Sequence, residues 1–251
     1  MTTPLFLITG GNRGLGAAMA KHLAKGGADI ILTYRSGADQ AAQKVAEIES
    51  LGRKAAALQL DVTDSSSYAA FAGKVKEKVT ELGHDALTGL VNNAGHGEWA
   101  LYRETTPEQL DELYTVHLRA PFLLTQVLLD QIADGGRLLF LSSGLSRFAM
   151  PGYAAYAAMK GAIDTLVRYV AKELGPRGIS ANAFAPGAIE TDFGGGAVRD
   201  NPEINKMVAE ATAMGRAGQA DDIGAAVASL LLSERNWITG TRIEASGGQQ
   251  L

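Results

Sequence analysis

The chain of 251 residues contains no cysteine. Disulfide scaffolds, thiolate metal sites and cysteine nucleophiles are therefore excluded. The chain also lacks any run of about 18 consecutive apolar residues, the length that a transmembrane helix requires. Its first residues have neither the basic region nor the long apolar region of a signal peptide. We therefore expect no membrane span and a cytoplasmic location.

A strong charge of either sign is missing as well. Lys and Arg number 23 against 27 Asp and Glu, which gives a formal net charge of −4. This balance does not favour nucleic acid or an anionic membrane as a partner. His22 and His84 lack the spacing to a carboxylate that metal ligands show, so we expect no metal site.

Glycine is abundant instead, with 30 residues, and short apolar runs alternate with longer amphipathic stretches. The runs typical of strands are Leu5–Thr9, Ile30–Tyr34, Ala55–Leu60, Leu87–Asn92, Leu138–Ser142, Ile179–Phe184 and Thr241–Ala245. The stretches typical of helices are Leu15–Lys25, Asp39–Leu51, Ser65–Leu82, Pro107–Ile132, Tyr153–Leu174 and Asp221–Leu232. This alternation predicts one α/β domain over residues 1–251, with a parallel sheet covered by helices on both faces.

Residues 190–216 interrupt the alternation. They contain Gly194-Gly195-Gly196, show no strand pattern and have only a weak helix pattern near Pro202–Met214. A loop of this length in a compact domain is usually functional, so we expect a substrate lid here.

A glycine-rich turn follows the first strand and opens a helix. Glycines allow a sharp turn and a close approach to a pyrophosphate, while the helix N-terminus offers free N–H groups. The spacing Gly-x-x-x-Gly-x-Gly differs from the common Gly-x-Gly-x-x-Gly fingerprint, and a purely structural turn is the alternative. Its place after the first strand favours a dinucleotide site. The candidate contacts are Gly10, Asn12, Arg13, Gly14, Leu15 and Gly16.

The end of the second strand indicates which dinucleotide is bound. NAD sites usually carry Asp or Glu here for the ribose 2′-OH. This chain has Tyr34, Arg35 and Ser36 instead, so no carboxylate repels a 2′-phosphate. Arg35 can pair with that phosphate, Ser36 can donate a hydrogen bond, and Arg13 is a second candidate contact. The alternative is that both arginines are solvated surface residues, but their joint placement favours NADP(H).

Tyr156 and Lys160 are spaced to lie on one face of a helix, and Ser143 follows the predicted strand Leu138–Ser142. We expect a nearby ammonium to lower the pKa of the Tyr156 phenol toward a useful acid–base range. A Tyr-x-x-x-Lys pair alone is usually a surface pair. In order with the other motifs it indicates a catalytic site.

These motifs together resemble the short-chain dehydrogenase/reductase family over essentially the whole chain. The matching pieces are Thr9–Gly16, Asp61-Val62, Asn92–Gly95, Ser143, Tyr156 with Lys160, Pro186-Gly187, Ile238–Gly240 and Gly247-Gly248. The resemblance implies a single doubly wound, Rossmann-type domain with a sheet of seven mostly parallel strands and helices on both faces. It also implies an oxidoreductase that interconverts a small-molecule carbonyl and an alcohol, as a homodimer or homotetramer.

The resemblance also implies roles for individual residues. Tyr156 would donate the proton to the carbonyl during reduction, and Lys160 would lower its pKa and hold the nicotinamide ribose. Ser143, favoured over Ser142 by its spacing, would bind the substrate oxygen. Further cofactor contacts are implied for Asp61, Val62, Asn93, Ala94, Gly95, Pro186, Gly187, Ile189 and Thr191.

His117 departs from the family pattern. The family usually has an Asn at this position, which holds a water in a proton relay through the lysine. Imidazole also binds water and titrates near neutral pH, so a relay through His117 is one hypothesis. The alternatives are a packing histidine with a weaker relay, and an active site whose catalysis has decayed.

The leading hypothesis is an NADP(H)-preferring oxidoreductase. An NAD-linked alcohol dehydrogenase of the same fold and a non-catalytic cofactor-binding regulatory protein are the alternatives. Several further residues either border the substrate space or simply pack. They are His96, Glu98, Trp99, Leu145, Phe148 and Phe193.

Overall fold

A computed structural model describes residues 3–251 of the protein. Its strands are β1 (Leu5–Ile8), β2 (Asp29–Tyr34), β3 (Ala55–Gln59), β4 (Leu87–Asn92), β5 (Ile132–Leu141), β6 (Ser180–Pro186) and β7 (Arg242–Ala245). They form one sheet in the order β3-β2-β1-β4-β5-β6-β7, and every neighbouring pair is parallel. The predicted doubly wound, seven-stranded fold is confirmed, and the sheet is parallel throughout.

The helices connect these strands and cover both faces of the sheet. They are α1 (Gly14–Lys25), α2 (Ala38–Ser50), α3 (Tyr68–Glu81), α4 (Pro107–Tyr114), α5 (Ala120–Leu128), α6 (Ala154–Leu174), α7 (Ala197–Asp200), α8 (Pro202–Glu210) and α9 (Ala220–Leu231). No helix within residues 3–251 is both long and apolar enough to cross a bilayer.

Strand β1 shows why the strands read as continuous apolar runs. Leu5 and Leu7 belong to the hydrophobic core on one face of the sheet, with residues of α3, α5 and α6. Phe6 and Ile8 belong to the core on the other face, with residues of α1, α2 and α9. Both faces of the strand are therefore buried, as expected for a parallel sheet between two helical layers.

The helix predicted over Pro107–Ile132 is present as far as Gln131, but it is not α-helical throughout. The segment divides into α4, a π-helical turn at Thr115–Arg119 and α5, and Ile132 already belongs to β5. Pro121 has no N–H, so the His117 carbonyl lacks its α-helical donor four residues further on. A wider π-helical turn accommodates such an interruption, and turns of this kind are frequent at functional sites.

Residues 190–216, called the lid below, contain no strand of the sheet. A short turn at Phe193–Gly196 leads into α7 and α8, so the weak helix pattern corresponds to the shorter α8. Gly194, Gly195 and Gly196 all have positive φ.

Candidate active site

The glycine-rich turn lies at the carboxyl end of β1, where the strand order reverses between β1 and β4. Open parallel sheets bind ligands at such a crevice. A Cβ on Gly16 would overlap the Gly10 carbonyl oxygen, and one on Gly10 would lie 3.1 Å from the Ala94 Cα. Asn93 Nδ2 donates to the carbonyl oxygens of Thr9 at 2.8 Å and Gly10 at 3.2 Å. Packing and hydrogen bonds therefore fix the shape of this turn.

The start of α1 fits the pyrophosphate of a dinucleotide. Gly14 has a φ of +55°, and among the described residues nothing lies within 4 Å of a Cβ built there. The N-cap residue Arg13 makes no side-chain hydrogen bond to the helix within the same part of the chain. The first amides of α1 and its positive dipole end are thus available to an anion.

Two cations stand where the adenosine end of the cofactor would lie. Arg13 and Arg35 are exposed, and neither forms an ion pair with any residue in 3–251. Asn12 Nδ2 donates to the Ser36 carbonyl oxygen at 3.2 Å, which links the glycine-rich turn to the end of β2. A hydrogen bond from the Thr63 amide lowers the pKa of the Asp61 carboxyl below its usual range. The charge of Arg35 lowers this pKa further.

Thr9 organises the segment that follows β4. Its Oγ1 accepts hydrogen bonds from the Asn93 and Ala94 amides, each at 2.9 Å. A Cβ on Gly95 would lie 2.7 Å from Cε1 of His117, so only glycine allows the imidazole to pack here. Other predicted cofactor residues are partly buried against the hydrophobic cores. They are Leu15, Tyr34, Val62 and Ile189.

Gln249 holds the loop that follows β6. The Ala188 amide donates to Gln249 Oε1 at 2.9 Å, and a Cβ on Gly187 would lie 2.9 Å from the same oxygen. Pro186 is the last residue of β6, and Thr191 Oγ1 accepts a hydrogen bond from the Phe193 amide at 3.3 Å. The predicted nicotinamide contacts are thus fixed at one side by Gln249 and lead directly into the lid.

Tyr156 is buried in the first turn of α6, beside the end of β5. Burial raises the pKa of its phenol above the ordinary value, and a hydrogen-bonding contribution from Ser143 opposes the rise. Ser143 Oγ accepts a hydrogen bond from the Leu145 amide at 3.2 Å, which orients the hydroxyl at the carboxyl end of β5. The phenol is therefore fully protonated at neutral pH and can act as a proton donor.

Lys160 is buried on the same face of α6, and its Nζ donates to the Leu141 carbonyl oxygen at 2.7 Å. Burial lowers the pKa of this amine to about 7, although the nearby Asp164 carboxylate favours the charged form. A substantial part of Lys160 is thus uncharged at neutral pH. This explains why the expected lowering of the Tyr156 pKa by a full ammonium charge is not found and the effect of burial dominates.

Ser142 forms a hydrogen bond with Asp164, which lies one turn after Lys160 on α6. Ser142 Oγ donates to Asp164 Oδ1 at 2.5 Å, and Arg242 Nε lies 3.3 Å from Asp164 Oδ2. Ser142 is therefore engaged with α6, whereas Ser143 interacts with the Tyr156 phenol. Asp164 was missed from sequence, although its place four residues after Lys160 on the same helix was the available signal.

His117 lies in the π-helical turn, packed edge-on against Tyr156 with ring centroids 5.1 Å apart. Its Nε2 lies 2.8 Å from the His96 carbonyl oxygen, and because a carbonyl only accepts, Nε2 carries the proton. Nδ1 is then a buried acceptor, and it has no partner within the described part of the chain. Burial and the positive charge of Lys160 hold the pKa of His117 well below its usual range, so the ring is neutral.

A small cavity of about 10 Å³ lies beside His117 and Lys160 and has room for one water molecule. Its walls include Thr9 just after β1 and Ala94 just after β4, together with residues of β5, the π-helical turn, α5 and α6. A hydrogen-bonding acceptor and an amine thus border one internal space. The arrangement can bind a carbonyl oxygen beside a phenol, transfer a proton to it and store a proton on a buried amine.

Comparison with known proteins agrees with this geometry. The family model described as enoyl-(acyl carrier protein) reductase matches residues 10–250. The chain is 33% identical to the tetrahydroxynaphthalene reductase PfmaG of Pestalotiopsis fici over 96% of its length and 90% of that protein.

Two solved structures are also similar. One is the reductase LugOII, described as promiscuous and as catalysing keto-reduction at C1 during lugdunomycin biosynthesis. It has a TM-score of 0.93 and 38% identity, covering 100% of this chain and 99% of that one. The other is the angucycline C-6 ketoreductase LanV with bound NADP, with a TM-score of 0.92 and 33% identity over 98% and 95% of the two chains.

With a family model over nearly its whole length and relatives of this similarity, the chain belongs to the short-chain dehydrogenase/reductase family. It is an oxidoreductase of that family. The roles of its individual site residues are the subject of the proposals below.

Proposed function

We propose that this protein reduces a ketone to a secondary alcohol with NADPH, and that Tyr156 donates the proton. The observation that carries the proposal is the buried, protonated phenol of Tyr156 between Ser143 and Lys160 at the carboxyl end of β5. The names of two relatives add support, since LugOII and LanV are described as acting on keto groups.

Each side chain has a distinct part in this mechanism. NADPH, when bound, supplies the hydride to the carbonyl carbon. Ser143 donates a hydrogen bond to the carbonyl oxygen as negative charge develops, and Tyr156 transfers its phenolic proton to that oxygen. Lys160, with a pKa of about 7, holds a proton close to the phenol in part of the molecules and can return one after each turnover.

The proposed part of His117 is to hold a water beside Lys160 and to position the loop after β4. Its low pKa makes a charged imidazolium unfavourable, so the ring acts as a hydrogen-bond acceptor through Nδ1. Its Nε2–H fixes the His96 carbonyl. We expect His117→Asn to keep most turnover, and His117→Leu to reduce kcat and to change its pH profile.

The main experiment measures NADPH oxidation with a panel of ketones and aldehydes. Tyr156→Phe should reduce kcat by at least about a thousandfold, because the proton donor is removed, while NADPH binding stays unchanged. Tyr169→Phe is the matched control, since Tyr169 is an exposed tyrosine on the same helix. Turnover by Tyr156→Phe at the unmodified rate would contradict the mechanism. Tight NADPH binding without turnover of any ketone would favour the non-catalytic alternative.

The choice of NADPH rests on Arg35 and Arg13. Removing a hydrogen-bonded charge partner costs about 1.5–3 kcal/mol, so Arg35→Ala should weaken NADPH binding by roughly 10- to 100-fold. NADH binding should change by less than about twofold, since it has no 2′-phosphate. Stronger binding of NADH than NADPH by the unmodified protein would instead support the NAD-linked alternative.

A homodimer or homotetramer is also proposed. Several large apolar side chains are exposed on α4, α5 and α6, where packing within the chain does not cover them. They are Leu110, Tyr114, Phe122, Val127 and Tyr169. Light scattering should give a mass two or four times 26.3 kDa.

A further inference from the structure

Phe193 is the first residue of the turn at Phe193–Gly196 in the lid, and its aromatic ring does not pack in either hydrophobic core. It is 42% exposed and belongs to neither core cluster of the described residues. Its ring nevertheless contacts Tyr156, with centroids 5.7 Å apart and an interplanar angle of 63°. The Tyr156 ring therefore contacts both His117 and Phe193, and of these two residues Phe193 belongs to the lid.

The position of the Phe193 ring is set by Gly97, in the loop after β4. A Cβ on Gly97 would lie 2.5 Å from Cε1 and 2.8 Å from Cζ of the ring, so the ring packs where a side chain at position 97 would stand. Any larger residue at 97 would displace it. The ring is thus fitted to this place although nearly half of its surface faces solvent.

The segment around Phe193 holds the ring without adding a polar group to it. Arg199 pairs with Asp192 at 2.5 Å and with Asp200 at 2.7 Å, so both carboxylates of this segment are bound to the arginine. The exposed part of the Phe193 ring is an apolar surface beside the Tyr156 phenol.

A second exposed aromatic, Trp99, lies on the same loop after β4 as Gly97. The indole of Trp99 is 57% exposed and rests on Gly152, where a Cβ would overlap its Nε1. The Ala100 amide donates to the Gly152 carbonyl oxygen at 3.0 Å, which joins this loop to the start of α6. Each of these two rings thus rests on a glycine in a segment close to Tyr156.

We propose that Phe193 is a specificity-determining residue and that its exposed face selects flat, aromatic ring ketones over saturated ones of the same size. The inference rests on the proposed ketone reduction and adds the substrate class. An aromatic ring gains from offset or edge-to-face contact with Phe193 beyond the area that it buries, whereas a saturated ring can touch Phe193 but lacks this additional gain. Because the interaction is with the ring system and not with the reacting carbonyl, it acts mainly on KM.

The test compares α-tetralone with decalone, its saturated bicyclic counterpart. Phe193→Leu should reduce kcat/KM for α-tetralone by about tenfold, mostly through KM, and change that for decalone by less than about twofold. Phe193→Tyr is the conservative control and should keep the preference. Gly97→Ala, which leaves Phe193 in place but displaces its ring, should reduce the preference in the same direction. Equal losses for both ketones, or no change, would overturn the inference.

Calorimetric binding of the two ketones to the NADPH-loaded protein gives a reading that does not need turnover. If no ketone is reduced but α-tetralone binding weakens about tenfold in Phe193→Leu, the proposed reduction fails and the assignment of Phe193 stands. If ketones are reduced but α-tetralone binds Phe193→Leu and the unmodified protein equally, the assignment of Phe193 fails alone. Since Phe193 is half-exposed, Phe193→Leu should fold normally, which circular dichroism checks.

Discussion

Two regions of the molecule use glycine for opposite reasons. In the catalytic floor, formed by the residues at the carboxyl ends of β1, β4, β5 and β6 and by Tyr156 and Lys160, glycines such as Gly16 are needed because neighbouring backbone is too close for a side chain. In the lid, a Cβ on Gly194 or Gly195 would meet nothing within 4 Å among the described residues, and only their positive φ requires glycine. Packing therefore requires glycine at position 16 of the floor, whereas backbone conformation alone requires it at positions 194 and 195 of the lid.

This difference suits the floor to holding a fixed geometry and the lid to discriminating between substrates. In the proposed mechanism, a floor that cannot relax would keep the cofactor, Ser143 and Tyr156 in one arrangement, as electrostatic stabilisation of a transition state requires. A lid with open space around its turn can accept other side chains, so its sequence can change without disturbing the floor. Four substitutions examine this contrast, from the largest expected effect to the smallest.

Gly16→Ala should have the largest effect. Its Cβ would overlap the Gly10 carbonyl oxygen, and overpacking of this kind costs about 3 kcal/mol. We expect a loss of about that size in the free energy of unfolding in urea. We also expect at least tenfold weaker NADPH binding, because the same overlap displaces the glycine-rich turn. Gly73→Ala is the control, because a Cβ there meets nothing within 4 Å in residues 3–251, and it should be neutral or stabilising. A neutral Gly16→Ala would show that the floor can relax.

Lys160→Met should stabilise the protein at neutral pH. The pKa of Lys160 falls from 10.5 to about 7 on folding, so between these pH values the unfolded chain binds more protons and stability rises with pH. Below pH 7 the buried amine costs free energy in full, and removing it should gain about 2 kcal/mol after loss of the hydrogen bond to Leu141. Urea unfolding from pH 6 to 10 should show the gain shrinking as pH rises. A gain that is constant with pH would contradict the lowered pKa.

Gly195→Ala should cost about 1 kcal/mol, because alanine is strained at a φ of +72° although space is free. Gly195→Asn should cost less, since asparagine tolerates the left-handed region better. Thermal unfolding of the pair compares them directly. Equal losses would indicate a steric cause, and the contrast with Gly16 would then disappear.

Arg199→Ala should change the free energy of unfolding by less than about 1 kcal/mol, because its ion pairs with Asp192 and Asp200 are exposed. The difference from the unmodified protein should shrink further in 1 M NaCl, where about 3 Å of screening length remains. A loss above 2 kcal/mol, or one insensitive to salt, would mean that the lid contributes to the fixed part of the structure.

The floor was more predictable from sequence than the lid, for physical reasons. The continuous apolar run Leu5–Thr9 predicts a strand buried on both faces, and the glycine-rich turn after this run predicts the start of α1. The division of Pro107–Ile132 was missed, since its apolar pattern continues through the π-helical turn and only Pro121 signals the interruption.

Contacts between distant segments had no sequence signal at all. The support of Ala188 by Gln249 and the placement of the Phe193 ring on Gly97 depend on how loops meet in space. The lowered pKa of Lys160 is of the same kind, because spacing on a helix predicts a charged neighbour for Tyr156 but not how deeply that neighbour is buried.

The hydrogen bond from the Ala188 amide to Gln249 has a consequence for synthesis of the protein. Its two partners are 61 residues apart in the chain, so on the ribosome the loop after β6 is translated long before its support emerges. Until Gln249 leaves the exit tunnel, the nascent chain cannot form this support of the loop after β6.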